Sequence, residues 1–364
     1  MFNDKVKIGC IIQARQGSQR LPGKATIPIA GKPALQRVIE RLRAAKCLDD
    51  VIVATTINEA DDAIEALCSK LGCTCYRGSE EDVLQRVLDA ATYLFVDVIV
   101  EITADCPLID PSHIDTLVNM FFSGDYDHVS NIIERTFPRG YDIRVFSREA
   151  LERVNKEVDN PVDRQHVSTW MYLNPKGKQN YKCLNWAAPP GQNRPDIEVT
   201  LDELEDLLLI RWIYGFEGQG YNLTLDCQTV INLLDTYPHM LDKVQKIKRK
   251  DYFEELSEYY NFRDELEKKV LNGTSTSEKE PVGILNTPKG AKKQDEQLRG
   301  IRGEQKHDES AYLMPREGVK ILLNTAENME ILRSEKHDDK FQVYNPNGRT
   351  GQSKRRTGRP KTKV

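Results

Sequence analysis

Near-continuous apolar runs alternate with segments of helical period through the first hundred residues. Residues 6–12 read as a buried strand, with Val, Ile and Cys in close succession. Residues 33–46 have helical spacing in Leu35, Val38, Ile39 and Leu42, and Pro33 suits a first turn. The pattern then predicts a strand over 50–55 and a helix over 58–71 capped by Asn58. A short strand around Cys75 and Tyr76, a helix over 81–94 and a long strand over 96–103 follow. Alternation of this kind predicts an α/β fold, a mostly parallel sheet with helices on both faces. Ligands of such sheets bind where loops converge at the carboxyl ends of strands.

Further along, the pattern predicts a helix over Pro111–Phe122 and shorter strands over His128–Ser130 and 141–146. Helices are predicted over 148–158, 163–172, 203–214 and 228–234. A polar helical stretch over 251–270 ends at Asn272-Gly273, which places the domain boundary there, with a folded domain over 1–272. Residues 274–310 are poor in large apolar side chains and rich in Lys, Glu, Gln and Gly, so the tail over 273–364 is expected to be largely disordered. One short stretch, 312–331, has the pattern of a helix. No internal repeat is present.

Composition narrows the class. The 364 residues, 39% hydrophobic and 30% charged, are ordinary for globular protein. No apolar run approaches the roughly 18 residues of a membrane span, and the N-terminus leads straight into a strand-like segment without a secretory apolar region. Eight cysteines (10, 47, 68, 73, 75, 106, 183 and 227) are scattered, mostly in apolar stretches, and Cys73/Cys75 lacks a partner motif. Reduced thiols in a cytoplasmic protein are expected. The net charge of −4 conceals a split: residues 271–364 carry 19 Lys/Arg against 13 Asp/Glu, which leaves the first 270 residues at −10. Neither part is basic enough for a nucleic-acid-binding domain.

The loop after the first strand, Gln13-Ala14-Arg15-Gln16-Gly17-Ser18-Gln19-Arg20-Leu21-Pro22-Gly23-Lys24, is the most informative stretch. Its glycines let backbone N–H groups approach a polyanion, and Arg15, Arg20 and Lys24 neutralise its charge. A solvated basic surface loop is the alternative. The loop is neither a Walker A motif nor a G-x-G-x-x-G fingerprint, so hydride transfer loses its main support.

With Ile11-Ile12 ahead of it, this loop resembles the opening of the cytidylyltransferases that make CMP-activated sugar acids, most similar to their spore-coat polysaccharide (SpsF-like) branch. Four further blocks carry the resemblance: Ile29-Ala30-Gly31-Lys32-Pro33, Val53-Ala54-Thr55-Thr56, Arg77-Gly78-Ser79-Glu80-Glu81-Asp82-Val83-Leu84, and Ile102-Thr103-Ala104-Asp105-Cys106-Pro107-Leu108-Ile109. The match runs in order over about residues 5–250. It implies a Rossmann-like fold of the nucleotide-diphospho-sugar transferase type, CTP as donor and Mg2+ as cofactor. It also implies an acidic sugar as acceptor and a homodimer.

Asp105 stands at the carboxyl end of a strand near the basic loop, a place suited to hold Mg2+ against triphosphate oxygens. Asp110, just before Pro111, is the better cap for the next helix, which leaves Asp105 for chemistry. The resemblance assigns Asp105 to the metal. It maps a second metal ligand onto Asp202 in Thr200-Leu201-Asp202-Glu203-Leu204-Glu205, where the family commonly has proline in place of Leu204. Asp202 as an N-cap with Glu205 in a capping box fits the same residues.

The resemblance places Gln13, Ala14, Arg15, Gly17, Ser18, Arg20 and Lys24 at the nucleotide, together with Thr55, Arg77, Gly78 and Asp82. Among these, Arg15 and Lys24 join Asp105 in catalysis. Ser79 to Asp82 is also a capping pattern. The segments around Arg139 and Asp142, and around Arg164 and His166, resemble the acceptor site, with Arg164 and His166 as cations for a carboxylate. Family members more often carry acidic residues at the positions of Arg139 and Gln165. His166 is equally compatible with an ordinary hydrogen-bonded histidine. Lys354-Arg355-Arg356-Thr357-Gly358-Arg359-Pro360-Lys361 resembles a minor-groove hook with its core broken to Thr-Gly-Arg-Pro, so a solvated tail with at most weak, salt-sensitive nucleic-acid binding is expected of the end. Two alternatives stay open, a sugar-1-phosphate nucleotidyltransferase using another NTP and an idle binding or scaffold protein.

Overall fold

The computed structural model describes residues 6–174, 176–217, 224–249 and 251–271. The tail over 273–364, with its expected helix and basic end, lies outside them.

The chain opens with β1 (Ile8–Gln13), the hairpin β2 (Pro28–Ile29) and β3 (Lys32–Pro33), and α1 (Ala34–Leu42). Next come β4 (Asp50–Thr56), α2 (Asp62–Lys70), β5 (Thr74–Gly78), α3 (Val83–Tyr93) and β6 (Val98–Thr103). After α4 (Pro111–Phe122) follow β7 (His128–Ser130), β8 (Arg144–Ser147), α5 (Arg148–Glu157), α6 (Pro161–Gln165) and α7 (Thr169–Tyr172). The last elements are β9 (Cys183–Asn185), α8 (Leu204–Gly215), α9 (Cys227–Thr236) and α10 (Tyr252–Leu271).

Seven strands form one sheet in the order β5-β4-β1-β6-β8-β7-β9. The contacts β1–β4, β1–β6, β4–β5 and β7–β9 are parallel, and β8 alone runs against its neighbours β6 and β7. This is the mostly parallel α/β sheet the sequence pattern predicts. β1 is central, so its side chains serve two layers: Cys10 and Ile12 face α1, α2 and α4, whereas Ile11 faces α3 and α5. A third apolar cluster packs α8 and α9 against Phe137, Tyr141, Ile197, Val199 and Leu201. That cluster matters because the chain through Leu201 leads to Asp202.

Local chemistry explains most boundaries. Pro33 is the N-cap residue of α1, and Asp110 accepts the Ser112 N–H at the start of α4 at 2.9 Å. Ala30 and Gly31, at φ 46° and 78°, form the two-residue turn between β2 and β3, a hairpin not anticipated from the pattern. The helix expected over 163–172 is two short helices. Buried Val167 takes φ 55° between them, and the Ser168 hydroxyl turns inward to Glu101 at 2.8 Å. Asn58 is the N-cap residue of a 3-10 turn, Glu59–Asp61, that runs into α2 at Asp62, but its side chain makes no cap bond. All eight cysteines are free thiols. Among the described residues no helix is long and apolar enough to cross a membrane.

Candidate active site

β1 and β6 end side by side, with Gln13 opposite Thr103, so the cationic loop and the Asp105 turn emerge together. Lys24 closes the gap. Its Nζ donates to Asp105 Oδ2 at 2.9 Å and to Asp202 Oδ1 at 2.8 Å. Asp202 arrives there along a chain segment laid beside the turn: Leu201 N–H donates to the Asp105 carbonyl, and Val199 N–H to that of Arg139, both at 2.8 Å. Gly140 permits this close pass. It sits at φ 112°, and a Cβ there would lie 2.9 Å from the Val199 carbonyl carbon.

The capping alternative for Asp202 does not hold. Glu203 is the N-cap of α8 and forms a reciprocal box with Asp206, so the frame is one residue later than Asp202–Glu205. The Asp202 carboxylate is turned instead to Lys24 and, at 3.3 Å, to Arg20. Burial alone would lower the Lys24 pKa, but Asp105 and Asp202 outweigh it and hold the ammonium above its ordinary value. Burial likewise opposes charge on Asp105, yet Lys24 and the Thr103 hydroxyl keep its carboxyl below the usual range. Lysine and aspartate are therefore both charged at neutral pH.

Beside this cluster lies a polar pocket of about 170 Å³. Arg20, Arg139, Arg144 and Arg249 line it with guanidinium groups, and Asp105, Asp142 and Asp202 with carboxylates. Most are already paired. Arg135 grips Asp142 with two bonds of 2.8 Å, and Arg249 grips Asp206 at 2.8 and 2.7 Å. Arg139 is 3.2 Å from Glu198. Arg144 has looser ties, to Glu101 at 3.9 Å and the Tyr172 hydroxyl at 3.5 Å.

The remaining sequence candidates divide. Arg15 is exposed, 3.4 Å from Glu80, with Gly17 exposed on the same loop. The Ser18 hydroxyl accepts the Leu21 N–H, Gln13 donates to Glu101 at 2.7 Å, and the Ala14 N–H holds Ala54. Thr55 is buried in β4 with its hydroxyl lacking a protein partner. Gly78 ends β5, where a Cβ would meet the Arg86 stem at 3.0 Å. Arg77 is tied to the Thr56 and Asn58 carbonyls and to Asp62 and Glu65.

Asp82, expected at the nucleotide, and Arg164, expected at the acceptor, hold each other at 2.7 and 3.0 Å. Asp82 also caps α3 through Gln85 N–H. His166 contacts Glu255 of α10 at 2.8 Å. Neither Arg164 nor His166 lines the pocket, whereas Arg139 and Asp142 do. Arg144 and Arg249, which also line the pocket, carry no signal in the sequence: Arg144 stands in a strand pattern and Arg249 in a Lys-rich run after α9.

A family model described as cytidylyltransferase matches residues 9–258, the whole span from β1 into α10. The chain belongs to the cytidylyltransferase family. It is therefore a nucleotidyltransferase, and the scaffold alternative falls away. The spore coat polysaccharide biosynthesis protein SpsF of Bacillus subtilis is 30% identical over 235 residues, covering 63% of this chain and 94% of that protein. An 8-amino-3,8-dideoxy-manno-octulosonate cytidylyltransferase of Shewanella halifaxensis is 30% identical over 189 residues, 46% of this chain and 75% of that one. A solved cytidylyltransferase structure from Leptospira borgpetersenii aligns with TM-score 0.61 at 30% identity, covering 68% of this cytidylyltransferase and all of the other. The Lys24, Asp105 and Asp202 cluster lies inside the matched span.

Proposed function

We propose that this cytidylyltransferase transfers CMP from CTP to an anionic acceptor of the sugar-acid class, with Mg2+ and release of pyrophosphate, in surface-glycan synthesis. The observation that carries the reading is the convergence of Lys24, Asp105 and Asp202 at the edge of an arginine-lined pocket. The two relatives named for spore coat polysaccharide synthesis and for an octulosonate support the acceptor class.

The donor set suits a hard divalent cation. Asp105 and Asp202 come from separate segments, both are partly open to the pocket, and Thr103 adds an oxygen beside Asp105. The Lys24 ammonium bridges the two carboxylates, so a cation already sits where a metal ion would take its place. Mg2+ takes one or two carboxylates and fills its other positions with phosphate oxygens and water. Those two residues would hold it, and when bound it would neutralise charge on the phosphate oxygens. Arg15, Arg20 and Lys24 are the cations for the β and γ phosphates.

The acceptor hydroxyl attacks the α-phosphorus and gives its proton to solvent, the bond from that phosphorus to the bridging oxygen breaks, and pyrophosphate leaves with its charge met by Arg20 and Lys24. Positioning and electrostatics supply most of the rate enhancement in such a reaction, so no dedicated base is required. Arg139 and Arg144 face the acceptor's anionic group, and Asp142, held charged by Arg135 against its burial, accepts from its hydroxyls.

The test is calorimetric binding of CTP, UTP, GTP and ATP in Mg2+, with wild type and Asp105→Asn side by side. CTP-selective binding that the variant loses supports donor and metal site together. Equal binding of the four nucleotides rules out the cytidylyl assignment.

A further inference from the structure

Asp61 closes the 3-10 turn Glu59–Asp61 that leads from β4 into α2, and its side chain makes no cap bond to that helix. Its side chain is only 2% exposed, and both oxygens point elsewhere. Oδ1 accepts the backbone N–H of Gln16 at 2.6 Å, and Oδ2 accepts the hydroxyl of Thr56, the last residue of β4.

Gln16 is the knot of the cationic loop. Its carbonyl accepts the N–H groups of Ser18 at 2.8 Å and Gly23 at 3.2 Å, and its side-chain amide donates to the Thr26 hydroxyl at 2.8 Å. The knot therefore joins the stretch just after Arg15 to the stretch just before Lys24. Asp61, 45 residues away in sequence, fastens it to the carboxyl end of β4. Burying a carboxylate is costly, and this one serves neither its own helix nor the apolar core.

We propose that Asp61 is a positioning residue of the nucleotide site: by tying the Gln16 amide to the end of β4 it sets the loop over 14–24 in the shape that receives a triphosphate. The proposal rests on reading that loop as the phosphate site.

Full-length Asp61→Ala and Asp61→Asn test it against wild type. The readouts are calorimetric binding of CTP, CMP and inorganic tripolyphosphate in Mg2+, melting temperature, and hydrogen exchange at the Gln16 amide. Asparagine keeps an oxygen for the Gln16 N–H, whereas alanine keeps none. Asp61→Ala should weaken CTP and tripolyphosphate by about tenfold or more, the scale of one charge-assisted hydrogen bond. It should leave CMP far less affected and speed exchange at Gln16. Asp61→Asn should recover most of the tripolyphosphate affinity.

Unchanged tripolyphosphate affinity in the alanine variant overturns the proposal. So does an equal loss of CTP and CMP accompanied by a lower melting temperature, which would make Asp61 purely structural. A wild type that binds no tripolyphosphate also overturns it. If Asp61→Ala does not fold, Thr56→Val carries the comparison, because it removes the hydroxyl that anchors the Asp61 carboxylate to the end of β4. Unchanged tripolyphosphate affinity and Gln16 exchange in it overturn the tie. Tripolyphosphate keeps the two readings separate: a wild type that fails to prefer CTP sinks the cytidylyl donor while the Asp61 effect is still measured.

Discussion

Arg164 and Arg144 show how far a residue's type differs from its employment. Arg164 bonds Asp82, the Asn155 side chain and the Val158 carbonyl, which together tie α3, α5 and α6. Arg144 faces the pocket with its nearest carboxylate at 3.9 Å. Arg164→Ala should therefore cost stability, about 2 kcal/mol for a partly exposed charge cluster, and leave acceptor KM nearly unchanged in the folded protein. Arg144→Gln should do the reverse, raising acceptor KM by about tenfold with CTP affinity preserved, since one charge-assisted bond is lost. Urea unfolding and steady-state kinetics on both variants decide it, and an acceptor KM that rises only in Arg164→Ala would sink the assignment. Loop position and residue type mark Arg15, Arg20, Lys24 and Asp105 as candidates for chemistry in the sequence, and the family resemblance adds Asp202. The sequence does not show which arginine finds a partner, because partners such as Asp82 and Glu255 come from distant segments.

Elements were legible where periodicity is long, and less so where tertiary contact overrides it. The parallel strands β1, β4 and β6 follow from continuous apolar runs and β5 from the short Cys75-Tyr76 stretch, whereas β8 and β9 are too short to announce direction or partner. At the break between α6 and α7, Val167 takes a positive φ and Ser168 reaches Glu101, a contact no local pattern encodes. On β7, His128 is fully buried, stacked on Phe146 and Tyr172, with neither ring nitrogen partnered. Burial, with the Arg144 charge adding to it, lowers its pKa to about 3. The unfolded chain binds a proton near pH 6.5 and the folded chain does not, so stability falls as pH drops below that value, by about 1.4 kcal/mol per unit. His128→Phe removes the penalty. Urea unfolding should give variant and wild type a constant difference above pH 7 and a further gap of about 2 kcal/mol in favour of the variant at pH 5. Parallel pH profiles would mean that His128 is protonated or solvated in the fold.

At the scale of the whole molecule the question is where the catalytic unit ends. The family match stops at residue 258, inside α10. The contacts of that helix argue that it belongs to the fold. Tyr252 donates its hydroxyl to the fully buried Asp163, Glu255 meets His166, and Leu256 is itself buried. These join α10 to α6, which Arg164 in turn ties to Asp82 at the start of α3. Removing α10 leaves Asp163 with only the side-chain amides of Asn160 and Asn174 and the Asn160 cap bond, in a site then opened to water. A chain ending at residue 250 should thus lose about 3 kcal/mol or more, combining one buried charge-assisted bond with lost apolar burial. A chain ending at residue 272 keeps every contact described for the site, and its CTP affinity should match that of the full chain. The basic end supplies the contrary possibility, since seven cations over 348–364 attract any polyphosphate at low salt. Calorimetry of the full chain and the 272-residue chain at about 20 and 200 mM salt separates the two. Equal affinity at both salts assigns triphosphate binding to the domain alone, and a full-chain advantage that persists at high salt would bring the tail into the site.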